Sequence, residues 1–195
     1  MKNIKSIFLI LLLVSTVIAA QTKWKFDKAH TTIGFSVTHL VITEVEGKFK
    51  KFGGKIITPG DDFENAQVEF WADVNSISTE NKKRDKHLKS DDFFNAEKFP
   101  KLTFKSKSFK KVGEKKYKLV GDLTIRDKTK EVELDVTHNG TIKDPLGNTR
   151  AGFKIEGEIN RFDFGLKWNK LMELGGAVVG KTVRIKINTE LKKVE

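Results

Sequence analysis

The 195-residue sequence has no cysteine, only three prolines and a single tyrosine. Without cysteine there are no disulfides, no thiolate metal site, no thiol nucleophile and no residue to which a lipoprotein anchor is attached. One tyrosine leaves little with which to build the aromatic girdles of an outer-membrane barrel. Long apolar runs are absent after residue 20. The run from Ile7 to Val14 follows Lys2 and Lys5 and precedes Ala19 and Ala20, which reads as a cleavable signal peptide over residues 1–20. Ser15 and Thr16 break the apolar stretch, which is short against the roughly 20 residues of a spanning helix. The sequence therefore predicts a periplasmic or secreted chain, soluble after cleavage, with residues 21–195 forming one domain.

Catalytic signatures are also missing. His30, His39, His87 and His138 have no H-x-x-x-H spacing, and there is no G-x-S-x-G, Gly-rich phosphate loop or dinucleotide fingerprint. No catalytic residue, metal ligand or cofactor is assigned, and the chain is expected not to be an enzyme. Arg84-Asp85-Lys86-His87 is dense in titratable groups, but neighbours along a helix do not share a face. A latch from helix to barrel through Arg84 and Asp85, with Leu88 inward, fits this segment better.

The formal charge is +11, of which Lys2 and Lys5 leave with the signal segment. The lysines are scattered among acids, and the densest cluster, Lys82, Lys83, Arg84 and Lys86, sits beside Glu80 and Asp85. This describes a solvated basic surface and not a nucleic-acid face, with at most peripheral attraction to anionic membranes.

What the sequence does have is alternation. From residue 31 apolar side chains recur at every second position, as in Thr31-Ile33-Phe35-Val37-His39, Val68-Phe70-Ala72-Val74 and Tyr117-Leu119-Gly121-Leu123-Ile125. Further rows start at Leu102, Val132, Phe153 and Val183, and a short strand falls near Lys48 to Ile57. Turn clusters at Thr58–Asp62, Lys111–Lys115, Arg126–Lys130 and Asp144–Asn148 separate them; Asn139-Gly140 is a hairpin tip or a bulge. The fold class predicted is all-β, a lipocalin-like closed antiparallel barrel of about eight strands. Ser78 to Lys89 predicts a short surface helix capped by Ser or Thr, Asp91 to Phe94 a loop plugging two aromatics into the core, and Trp168 to Leu174 a helical turn over a barrel mouth. Fourteen of the fifteen Phe lie beyond the signal segment. Alternation alone leaves open whether they fill the barrel or line a ligand cavity.

The segments RDKHLKSDDFF from Arg84 to Phe94 and FPKLTFKS from Phe99 to Ser106 resemble the central signature of the YceI-like family. His30, FSVTHL (Phe35 to Leu40), GKF (Gly47 to Phe49), FGG (Phe52 to Gly54), SIST (Ser76 to Thr79), GDLTIRDKTKEV (Gly121 to Val132) and RFDFGL (Arg161 to Leu166) follow in the same order. Asp127 stands where the family more often has Gly, and Phe162 where a small residue is common. The resemblance implies a barrel whose interior channel holds a polyisoprenoid or similar long-chain lipid in the periplasm, often in a homodimer. Combined with strand parity, it makes Phe35, Val37, Phe70, Phe104, Leu123, Ile125, Leu134, Phe153, Ile155 and Ile185 the candidate channel wall. His39 and His138, at strand ends, are either hydrogen-bonded rim residues or head-group contacts. The alternative function is a side-chain-filled barrel acting as a secreted protein-interaction module or inhibitor.

Overall fold

A computed structural model describes residues 21–60, 62–173 and 175–194. The signal segment lies outside the described residues. Eleven strands are present: β1 (Thr22–Phe26), β2 (Thr32–His39), β3 (Thr43–Phe49), β4 (Phe52–Thr58), β5 (Gln67–Asp73), β6 (Ile77–Ser78), β7 (Lys101–Gly113), β8 (Lys116–Ile125), β9 (Lys128–Lys143), β10 (Thr149–Asn160) and β11 (Val179–Val194). One α-helix, α1 (Lys82–Lys89), lies between β6 and β7.

The eleven strands make eight antiparallel runs, because the first three runs are each bent in two. Between β1 and β2, Asp27–Thr31 bends the first run, whose two halves both pair with β11. Lys50-Lys51 separates β3 from β4, and a 3-10 turn at Val74–Ser76 separates β5 from β6. The ring runs β1-β4-β5-β7-β8-β9-β10-β11 and closes through β1–β11, while β2, β3 and β6 extend it at one end. Closure leaves no long unpaired edge among these strands.

Period two explains the pleat. Along β8, Tyr117, Leu119, Gly121, Leu123 and Ile125 are buried while the intervening Lys118, Val120, Asp122 and Thr124 are half-buried. Glycine enters the inner row where an aromatic ring lies across the strand: a Cβ on Gly47 would sit 2.3 Å from Phe35 Cζ, and one on Gly121 2.5 Å from Phe104 Cζ. Neither position accepts a side chain without displacing a ring.

Four sequence expectations need adjustment. β1 begins nine residues before the first predicted row, and the predicted short strand is two strands, β3 and β4. The helix cap is Asn81, whose side chain accepts from Arg84 N at 3.0 Å, and not Ser or Thr; helix starts tolerate either chemistry because all three side chains carry a short acceptor. Leu174, the end of the predicted helical turn, lies outside the described residues; among the described residues from Trp168 on there is no helical turn, Leu171 bridges Ala177, and Gly175 and Gly176 both take φ of 88°. Asn139 resolves as a bulge inside β9, where the pairing slips between Gly152↔Gly140 and Phe153↔His138.

The barrel has two unlike ends. The helix end carries the β2–β3 turn, α1, the 91–99 loop and the 161–178 connection, and the far end carries the 59–66 loop and the β7–β8 and β9–β10 turns.

Candidate functional site

Inside the barrel is a cavity of about 210 Å³. All eight runs contribute wall residues, among them Phe26, Phe49, Val68, Leu102, Leu119, Leu134, Ile155 and Ile187. All ten residues that strand parity selected, Phe35, Val37, Phe70, Phe104, Leu123, Ile125, Leu134, Phe153, Ile155 and Ile185, border it. Arg161 and Thr189 are the polar side chains on an otherwise apolar wall. At roughly 10–15 Å³ per water-sized position the space takes about 14 to 21 such positions, and apolar cavities of this kind stay dry.

The far end is stoppered. Phe63, 2% exposed, packs against Trp24 (5.0 Å between ring centroids) and edge-on to Phe153 (4.6 Å). Trp24 donates its indole N–H to Thr58 Oγ1 at 3.2 Å, so the ring is buried without an unpaired donor. Tyr117 donates its hydroxyl to Asp62 at 2.9 Å and ties the same loop to β8. Burial, with this hydrogen bond second, pushes the Tyr117 phenol up to about 12. Burial also raises the Asp62 carboxyl, but the Tyr117 hydroxyl and backbone N–H groups outweigh it and hold the group below its ordinary value.

At the helix end three arginines tie the connecting segments together. Arg84 and Asp85 clasp Thr79: Arg84 Nε donates to Thr79 Oγ1 at 2.7 Å, and Asp85 accepts from Thr79 N and Oγ1 at 2.8 and 2.6 Å. Leu88 thereby turns to the cavity wall with Phe93 and Phe94. Arg126 donates to the carbonyls of Asp91, Phe93 and Gly165 and to the Asp91 carboxylate. It does so from φ of 57° in the two-residue turn before β9, a conformation unfavourable for a long side chain; four hydrogen bonds at 2.8–3.0 Å hold it there. Arg161, 2% exposed, donates Nε to Gly180 O, Nη1 to Leu166 O and Trp168 O, and Nη2 to Val179 O. Burial lowers its pKa, and four carbonyl dipoles take the place of a carboxylate.

The two histidines proposed for the rim stand at opposite ends, and neither borders the cavity. His39 ends β2, opposite Thr43 and Val179. His138 stacks on Phe153 at 4.8 Å, meets Phe63 at 5.4 Å and hydrogen-bonds Thr141 Oγ1 at 3.0 Å. Those two rings, unlike His138, line the cavity. Burial lowers its pKa. The polar wall residue that parity reasoning missed is Arg161, because a charged residue next to a turn reads as solvated.

Asp27, His30 and Glu190 converge outside this cavity. Arg150 occupies the same cluster, paired with Asp27 and Asp144 at 2.6 Å each and with Glu190. The arginine holds Asp27 down to about 2 and Asp144 well below the carboxylate range, and so satisfies the acids as an ion-pair network.

The sequence profile of the YceI-like domain matches residues 24–191. The chain belongs to the YceI-like family. A UPF0312 protein of Staphylococcus aureus is 38% identical over 170 residues, covering 87% of this chain and 96% of the relative. Among solved structures, the YceI protein of Campylobacter jejuni is 34% identical with a TM-score of 0.69, covering 87% of this chain and 96% of that one. A polyisoprenoid binding domain from Saccharophagus degradans shares the fold at 13% identity and a TM-score of 0.60, over 88% and 98% of the two chains. The YceI-like signature residues fall on the closures just described: Arg84 to Lys89 in α1, Phe93 and Phe94 at the wall, Arg126 and Arg161 as carbonyl clamps.

Proposed function

We propose that this YceI-like protein binds a long apolar lipid, polyisoprenoid-like in chemistry, inside its barrel, and sequesters or carries it in the periplasm or outside the cell without catalysing a reaction. The observation that carries this reading is the apolar cavity inside the barrel. A wall of Phe, Leu, Ile and Val offers no group that would activate a bond, yet each CH₂ buried there contributes about 0.8 kcal/mol. A flexible chain is held by area alone, and Arg161 is the one charged wall residue that a polar terminus could meet. The polyisoprenoid binding domain of the same fold supports the ligand class. An interaction module with a solidly packed barrel has no use for this cavity, which favours the lipid reading over that alternative.

The test is native mass spectrometry of the exported protein, purified without denaturant, beside its Ile155→Trp variant. Ile155 borders the cavity at mid-barrel. The wild type is expected to carry an extractable lipid adduct and the variant to be largely bare while keeping its β circular-dichroism spectrum. Bare polypeptide for the wild type sinks the proposal.

A further inference from the structure

The helix end bears an anomaly that lipid enclosure does not explain. The β2–β3 connection is Leu40, Val41 and Ile42, the first two at positive φ, 52° and 66°, with Ile42 N donating to His39 O at 3.3 Å. Consecutive turn residues at positive φ favour Asn-Gly, because Cβ crowding penalises other residues and β-branched ones most. Here the two positions hold Leu and Val, and neither is buried: Leu40 is 37%, Val41 65% and Ile42 85% exposed. Val41 and Ile42 leave most of their apolar surface exposed in return for that conformation.

A second apolar element stands beside the turn. Leu40 N donates to Val178 O at 3.0 Å, and a Cβ on Gly176 would lie within 3.2 Å of both Val41 Cγ2 and Met172 Cε. Leu171, at 68% exposure, extends the patch. Lys170 and Lys181 are exposed on the same rim against Glu173. The far-end turns carry Asp62, Glu64, Glu114 and Asp144 together with Lys110, Lys111, Lys115, Lys143 and Arg150, the last paired with Asp144 at 2.6 Å. The far end exposes apolar side chains as well, Val112, Ile142 and Leu146, but none of these stands at positive φ as Leu40 and Val41 do.

Cavity coverage points the same way. At the far end the wall residues Phe63, Phe109, Val136 and Leu191 are all buried, whereas Val37, Val179, Val183 and Ile185, under the apolar turn, are only half-covered. The β2–β11 ladder is itself irregular between Val179 and Val183, next to that turn. Bulges at a barrel rim loosen pairing and bend the strand away.

We propose that Leu40, Val41, Ile42 and Leu171 form a wedge that inserts into the surface of an anionic bilayer, setting the half-covered β2–β11 side of the cavity against the membrane. Apolar side chains reach the acyl boundary, and Lys170 and Lys181 meet the head groups. An apolar chain then passes between bilayer and barrel without crossing water. The purpose of the wedge rests on the lipid-carrier reading; its existence does not.

The exported protein, its amino terminus established by intact mass, is sedimented with vesicles of phosphatidylcholine alone and of phosphatidylcholine mixed with phosphatidylglycerol. Three forms are compared: wild type, Val41→Asp with Ile42→Asp, and Leu40→Asn with Val41→Gly. Removing two exposed apolar side chains is expected to weaken binding to the anionic vesicles about ten-fold or more, while lipid adducts seen by native mass spectrometry persist. The Asn-Gly form is the sharper control, since its fold should melt at a higher temperature than wild type while it loses the membrane. Equal binding by all three forms, no wild-type binding, or a turn that instead joins two copies in sedimentation velocity overturns the wedge. An empty cavity with turn-dependent binding overturns the carrier reading and leaves the wedge standing.

Discussion

Tyr117 is the single tyrosine of the chain, so its ionisation can be followed without ambiguity. The neutral phenol donates to the Asp62 carboxylate, and both burial and that negative neighbour oppose a second negative charge. The folded protein holds the proton to about pH 12, against an ordinary value of 10.0. The unfolded chain releases it first, so stability is whole below about pH 10 and falls as pH rises from there toward 12. Absorbance at 295 nm should stay flat through pH 10.5 and rise with unfolding; a reversible midpoint near 10 in folded protein would refute the burial. At this scale the sequence was legible wherever a side chain's role followed from parity. Phe35, Phe104, Leu134 and Ile185 needed only the count of residues along a strand. Arg161 and Arg126 needed knowledge of which carbonyls the chain would bring to them, and no local pattern carries that.

Elements were readable when they were long and regular. β7 to β11 each hold ten or more residues and announce themselves by alternation. β1 has five, Thr22–Phe26, and its Trp24 and Phe26 are too few to separate from chance. The turn was read as Thr58–Asp62 because Pro59, Gly60 and the acids dominate its composition, and so Phe63, just beyond it, was overlooked. A loop carrying a buried aromatic is a stopper: the Phe63 ring fills the barrel end among Trp24, His138 and Phe153. Phe63→Ala is expected to lower the free energy of unfolding by about 3–5 kcal/mol, as for other buried Phe truncations, and to lengthen the cavity at the far end. Urea denaturation gives the first quantity. A loss under 1 kcal/mol would mean that Phe63 does not support the stopper.

For the molecule as a whole, closure and emptiness act against each other. Eight runs locked by antiparallel pairing give a rigid wall, but a wall of large apolar residues around an open space forgoes the contacts that a filled core would supply. The sequence shows the wall and cannot show the space, since a filled and a hollow barrel share one alternation; only the three-dimensional curvature of the runs decides between them. A ligand that binds the folded barrel alone restores those contacts and stabilises by mass action. At a hundredfold excess over Kd the gain is about 2.7 kcal/mol, and for a domain of this size each kcal/mol moves the Tm by about 2–4 °C. Stripping the lipid by refolding from denaturant in the presence of a hydrophobic resin should therefore lower the Tm by about 5–10 °C, and returning the organic extract should restore it. Calorimetry on the three samples measures this directly. Identical Tm values before and after stripping, with mass spectrometry confirming the loss of lipid, would show that the cavity's contents do not contribute to holding the barrel together.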